Sequence, residues 1–273
     1  MARTRTVVQA ALLLLALSGL FLAGVRTQEV EDEREFTYED GPRGPERWGE
    51  LKEEWSACGK GMQQSPIDVV KRRAKVWPDL GRLRRIYRSA NATLLNRGHD
   101  IMVKWPYGAG SIEIDGKKYT LNQCHWHTPA EHTVDGRRYP LEMHLVHESE
   151  DKKIAVVGIL YKYGRPDTFL AELMDEIKSI TDMVPPEEPL GIVNPTHIKI
   201  GSRKYYRYIG SLTTPPCTEG VIWNIVKKVR TVSREQVRTL HEAIHDEYEK
   251  NARPLQSTNG RIVKMYTPRR KTP

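Results

Sequence analysis

The sequence predicts a mainly β (α+β) fold in a single domain, on three observations. Short stretches of alternating polarity are joined by turn dipeptides, one β-branched apolar run suits a buried strand, and helical periodicity is confined to two segments. At 273 residues with 38% hydrophobic content, 12 Tyr and 6 Trp, the chain has apolar surface enough for one packed core. No internal repeat or low-complexity linker divides it.

The chain opens with Arg3 and Arg5 ahead of an apolar run from Val7 to Val25 in which Ala23 and Gly24 stand near the end, the pattern of a secretory signal peptide over residues 1–28. Gln9 and Ser18 interrupt the run and no basic stop-transfer cluster follows, so cleavage, secretion and no membrane attachment afterwards are expected. An acidic segment at 29–35 (Glu29, Glu31, Asp32, Glu33, Glu35) precedes the domain, expected over 36–265. Lys264, Arg269, Arg270 and Lys271 make the end basic, with a tail expected at 266–273. The formal net charge of +8 includes Arg3, Arg5 and Arg26, so the cleaved protein is only mildly basic. Interior charges mix in sign and no dense basic stripe with interleaved aromatics is visible, which argues against nucleic-acid binding.

Ser111 to Leu121 alternates around Asp115-Gly116, a hairpin signal. Asp135-Gly136 and Gly201-Ser202 punctuate two more expected pairs, the latter between residues 197–200 and 203–209. Ile154 to Tyr161 is the β-branched run, expected as a central strand covered on both faces. The helices are expected at 167–181, ending before Pro185-Pro186, and at 234–250. Ser233 and Gln236 form a capping box for the second, and Val232 and Val237 a hydrophobic staple. Val237, Leu240, Ile244 and Tyr248 then make its apolar stripe. Three cysteines, Cys58, Cys124 and Cys217, permit one disulfide and one free thiol without choosing the pair. Asn91-Ala-Thr93 is a glycosylation acceptor sequence.

The richest segment is Gln123-Cys-His-Trp-His-Thr-Pro-Ala-Glu-His132, followed by Leu141-Glu-Met-His-Leu-Val-His147. In a strand, residues two apart share a face, so Gln123, His125 and His127 point one way while Cys124 and Trp126 point the other. Glu142, His144 and Val146 share a face of the next strand. If the two strands pair, three imidazoles converge with no fourth protein ligand, the donor set of a catalytic rather than a structural zinc. Gln123 and Glu142, two residues before His125 and His144, are placed to accept from the second ring nitrogens.

Together with Gln64-Ser-Pro-Ile-Asp68, Asn96-Arg-Gly-His99 and Ser211-Leu-Thr-Thr-Pro-Pro-Cys217, these residues resemble the motif set of alpha-class carbonic anhydrases, plant members in particular. The resemblance runs from about Phe36 to Arg261. It implies a large, mostly antiparallel twisted sheet with peripheral helices and zinc at the floor of a cone-shaped cavity. The implied reaction is reversible hydration of carbon dioxide to bicarbonate and a proton by a zinc-bound hydroxide, in a monomer or weak dimer. The matching positions make Thr213 and Glu131 the pair that aims the hydroxide, and Thr214 part of the bicarbonate side. Val146, Val156, Leu212, Val221 and Trp223 become the apolar wall for the substrate. His99 matches the proton shuttle, with Tyr38 and Asn96 ordering its waters. The resemblance pairs Cys58 with Cys217, a long loop whose closure stabilises by roughly 5 kcal/mol in the chain-entropy model. It also makes Asn251 and Arg253 a brace under the site.

Two rivals remain open to test. His241-Glu-Ala-Ile-His245 matches the helix signature of zinc proteases, but no third ligand follows it. A non-catalytic storage or binding protein on the same scaffold is the other; loss of a zinc histidine would be its cheap sign, and none is lost.

Overall fold

The computed structural model describes residues 35–182, 187–244 and 250–268. The expected signal peptide, residues 29–34 of the acidic segment, Pro185-Pro186, His245, Tyr248 and the last five residues lie outside the described residues.

In chain order the strands begin with β1 (Asp68–Val69), β2 (Lys75–Val76), β3 (Arg84–Tyr87), β4 (Ala90–Asn96), β5 (Ile101–Lys104), β6 (Gly110–Ile114), β7 (Lys117–His127) and β8 (Thr133–Val134). They continue with β9 (Arg137–Arg138), β10 (Leu141–Glu148), β11 (Ile154–Tyr163), β12 (Glu187–Val193), β13 (Tyr205–Ser211), β14 (Glu219–Val226), β15 (Arg230–Val232) and β16 (Lys264–Tyr266). One sheet of 13 strands dominates, ordered β12-β4-β5-β7-β10-β11-β14-β13-β16-β2, with β3 and β6 attached beside β7 and β15 beside β11. Its pairings are antiparallel except β11 with β14 and β15, and β16 with β2. The expected mainly β architecture is what forms.

Local chemistry explains most joints. The β6–β7 hairpin turns at Asp115 (φ 51°) and Gly116 (φ 76°), and β8–β9 at Asp135 (φ 50°) and Gly136 (φ 74°), the double positive φ that an Asp-Gly turn tolerates. The hairpin expected at Gly201-Ser202 does not form. The side chain of Asn194 accepts from Thr196 N–H and opens a single 3-10 turn, Pro195–His197, so the first half is not a strand. β13 meanwhile is flanked by β14, the next strand along the chain, and by β16, which is remote in sequence. A turn dipeptide marks a bend but does not choose who pairs across it.

β11 lies between β10 and β14 and is buried from Ile154 through Tyr161, as its β-branched run requires. Cys124 and Trp126 of β7 face a cluster with Met143, Leu145, Val157 and Ile159, and the helices pack on that side through Phe169, Ile177, Val237 and Leu240. Trp126 stacks on Phe169 with centroids 6.4 Å apart. The opposite side of β7 and β10 is thereby left for the histidines.

The first expected helix divides into Thr168–Ala171, Met174–Ser179 and a 3-10 turn at Ile180–Asp182, with Asp167 capping the first through the N–H groups of Phe169 and Leu170. The second begins where its capping box puts it: Gln236 N–H donates to Ser233 Oγ at 3.1 Å and Ser233 N–H to Gln236 Oε1 at 3.2 Å. It spans Arg234–Ala243 and stops short of the expected Lys250, because Ile244 is extended (φ −101°, ψ 164°) and Asn96 Nδ2 donates to the Ala243 carbonyl at 2.6 Å. Tyr266, expected to begin the tail, is instead paired with Tyr205 in β16.

His147 of β10 is buried, with Nδ1–H donating to the Ala155 carbonyl at 3.1 Å and Nε2 accepting from the Tyr87 hydroxyl at 2.8 Å. Burial pushes its pKa down from 6.5 to about 4. Between those values the unfolded chain binds the proton and the folded one does not, so this contribution to stability is complete above about pH 6.5 and lost towards pH 4. In chelated protein, the stability advantage of wild type over His147→Gln should fall by about 3 kcal/mol from pH 7 to pH 4 in urea titrations. A pH-independent difference contradicts the assignment.

Candidate metal centre

The β7–β10 register sets His144 opposite His125 and Glu142 opposite His127. Because the pairing is antiparallel and both strands turn these residues to one face, the three rings meet, with centroids 5.0 Å (His125–His127), 5.2 Å (His125–His144) and 4.6 Å (His127–His144) apart. Each offers one ligand atom within 4.8 Å of the others, and all three residues are buried.

Two of the outer ring nitrogens are held by hydrogen bonds and the third by an ion-pair contact. His125 Nδ1 lies 2.8 Å from Gln123 Oε1, and His127 Nδ1 donates to the Asn251 carbonyl at 2.6 Å. His144 Nε2 lies 3.0 Å from Glu142 Oε1, an ion-pair contact outside hydrogen-bond geometry, and Nδ1 is the nitrogen it leaves free to ligate. The Nε2 atoms of His125 and His127 are buried with no hydrogen-bond partner, which is costly unless a cation occupies the point they share. Burial, together with its histidine neighbours, holds His125 well below the usual imidazole pKa despite the opposing pull of Asp100, so its nitrogen is a free base. Burial works against protonation of His127 as well, but Glu131 and the Asn251 carbonyl outweigh it and raise that pKa.

A second cluster, His132, Glu142 and His144, is also close enough to hold a metal. Its donors are already engaged: His132 Nδ1 bonds Glu142 Oε1 at 2.8 Å, His132 Nε2 bonds the Tyr208 hydroxyl at 2.7 Å, and that hydroxyl reaches Ser65 Oγ at 2.7 Å. Glu142 also accepts His132 N–H, and the adjacent histidines hold it well below the usual carboxylate range although burial pushes the other way. The residues fit zinc at the first cluster, with the second as its support.

The other expected residues fall around this point. Glu131 and Thr213 are both buried; Glu131 Oε1 accepts Arg253 N–H at 3.0 Å while Oε2 has no hydrogen-bond partner. Thr214 is buried with an unpartnered hydroxyl. Val156, Leu212, Val221 and Trp223 share one apolar cluster on the histidine side, with the partly buried Val146 packed against it. Trp223 lies 4.8 Å from the His144 ring. Cys58 and Cys217 form the disulfide, 159 residues apart, and Cys124 is the buried free thiol among the described residues. Asn91 is exposed.

His99 departs from the expected solvent boundary. It is fully buried, 5.2 Å from the Phe36 ring and 3.8 Å from the Asp100 carboxylate. Asn96 spends its amide on Ala243 and Gly98, and Tyr38 packs edge-on against Phe36 and Trp48. His132, Tyr208 and Ser65 carried no assigned role in the sequence; their meeting depends on β13, whose neighbours were not legible. The Asn251–Arg253 brace is present. Asn251 donates to the carbonyls of His99 and Trp126 and accepts Thr128 N–H, while Arg253 donates to Gln64 Oε1 and to the Ser65 and Cys58 carbonyls.

A family model for eukaryotic-type carbonic anhydrase matches residues 43–267. Alpha carbonic anhydrase 7 of Arabidopsis thaliana is 58% identical over 241 residues, covering 88% of each chain. Among solved structures, dioscorin complexed with ascorbate superposes with a TM-score of 0.85 at 47% identity, covering 87% of this chain and all of that one. The alpha-carbonic anhydrase of Thermovibrio ammonificans, in complex with the inhibitor sulfanilamide, matches with a TM-score of 0.74 at 36% identity over 84% of this chain and 98% of its own. The chain belongs to the alpha carbonic anhydrase family.

Gln123→Leu removes the acceptor from His125 without disturbing the strand. Zinc affinity, measured by competition with a chromogenic chelator, should fall about 10- to 100-fold with the fold retained by circular dichroism. Unchanged affinity would remove Gln123 from the site.

Proposed function

We propose that the protein is a zinc enzyme that reversibly hydrates carbon dioxide to bicarbonate and a proton. The observation that carries the reading is the convergence of three buried histidines, of which His125 and His127 have their outer nitrogens hydrogen-bonded and their inner nitrogens buried without a partner. When bound, zinc supplies Lewis acidity that brings the pKa of a coordinated water to about 7, a magnitude established on carbonic anhydrases themselves rather than read from this structure.

The chain's own residues supply the rest. With Oε1 occupied by Arg253 N–H, Glu131 keeps Oε2 as its available acceptor. A carboxylate can only accept, so by residue match the Thr213 hydroxyl would turn to donate to Oε2 and its oxygen would then accept a hydrogen bond from the nucleophile, fixing its orientation. Thr214 offers its buried hydroxyl to the oxygens of the anionic product. Val146, Val156, Leu212, Val221 and Trp223 exclude water from the side on which apolar carbon dioxide would rest. His99 is the proton carrier by residue match, and because its ring is buried it has to move to reach solvent.

Secretion through a signal peptide at 1–28, a domain over 36–265 and glycosylation at Asn91 complete the proposal. The Cys58–Cys217 disulfide supports an oxidising compartment. The resemblance to dioscorin keeps one alternative, a binding or storage protein, in view. Stopped-flow hydration of carbon dioxide decides between them. Activity lost on zinc chelation, regained with zinc and absent in His144→Ala is the expected result. A folded, zinc-loaded wild type without activity favours the storage role.

A further inference from the structure

A second site lies on the far side of the sheet. Arg82, Arg84, Arg85 and Arg203 line a cleft of about 700 Å3, and no carboxylate lines it. It shares no residue with the metal centre. Leu83 and Tyr87 pack against, and Ile200 and Val226 belong to, the apolar cluster on the Cys124–Trp126 face, away from the histidines.

The four guanidinium groups have no ion pair among the described residues. Even Glu113, in register with Arg84 across β3 and β6, does not pair with it. Some exposed cations elsewhere among the described residues are matched, as in Lys117–Asp151, Lys152–Glu148 and Arg47–Glu50, and others such as Arg72 and Lys162 are not; what sets the cleft apart is four arginines lining one cavity. Gathering like charges without counterions opposes folding. The four arginines are exposed, but Arg85 is partly desolvated at its guanidinium, which presses its pKa down, and Arg82 adds to the pressure against the opposing effect of Tyr87. The arrangement is nonetheless built in. Tyr205 Oη donates to the carbonyls of Leu80 (3.2 Å) and Gly81 (3.1 Å), which fixes the turn that delivers Arg82 and Arg84. Lys228 and Arg230 occupy the space into which a side chain at Gly201 would point, close in sequence to Arg203, and extend the positive field.

We propose that this cleft binds a multivalent oxyanion with two or more carboxylate or phosphate groups, either free or as the repeating unit of an acidic polysaccharide. One guanidinium fork matches one carboxylate or phosphate, so a single charge would leave the remaining arginines repelling each other. The volume suits a ligand of one to three rings. The disulfide favours an oxidising compartment, outside the cytosol and nucleus, which turns the choice away from nucleic acid.

The test is calorimetric titration of the zinc-loaded full chain with benzene-1,3,5-tricarboxylate, whose carboxylates stand too far apart to strip the metal, against benzoate at matched ionic strength. The tricarboxylate should bind on the order of tenfold more tightly than benzoate or better, and Arg84→Gln/Arg203→Gln should lose that margin. A control of equal charge change, Lys118→Gln/Lys162→Gln, should bind as wild type, and carbon dioxide hydration should be the same in all three proteins. Trigalacturonate binding more tightly than the tricarboxylate assigns the site to a polymer; the reverse order assigns it to a free anion. Equal binding of tricarboxylate and benzoate, an arginine variant that binds like wild type, or an equal loss in the lysine control overturns the proposal.

Discussion

Everything at the candidate metal centre depends on the register of one strand pair. With His144 opposite His125, the period of two places His127 on the same face and Glu142 beside it, so the three rings and two of their supports follow from a single alignment. A slip by one residue would turn His144 into the Cys124–Trp126 core and bring Met143 or Leu145 to the metal. The apolar partners of Cys124 and Trp126 therefore protect the histidine geometry as well as the fold.

Around that pair, distant segments converge. Arg253 ties Glu131, Gln64, Ser65 and Cys58 together, and the Cys58–Cys217 disulfide fastens the same corner to the loop after Thr213. Asn251 spans His99, Trp126 and Thr128 while its own carbonyl orients His127. These contacts cross more than a hundred residues of sequence. They hold a site that two strands would otherwise leave open on one side.

What could be read in advance was what periodicity and local hydrogen bonding decide. Alternation in β7 and β10 announced the histidine face, Asp115-Gly116 and Asp135-Gly136 announced their hairpins, and Ser233 with Gln236 marked a helix start. Pairing between remote segments was not legible. Gly201-Ser202 looked like a hairpin because its flanks alternate, yet β13 alternates to suit β14 and β16. Glu142 was expected to serve His144 and serves His132 too, because Tyr208 arrives from β13. The arginine cleft escaped notice for the same reason: β3 and the 196–203 loop are neighbours only after folding.

The most direct measurement is X-ray absorption at the zinc edge of the metal-loaded protein. Three imidazole nitrogens and one light oxygen donor, at about 2.0–2.1 Å, are predicted, with the imidazole shell reduced in His144→Ala. A sulfur shell near 2.3 Å, four protein nitrogens, or a spectrum unaltered by that substitution would contradict the account.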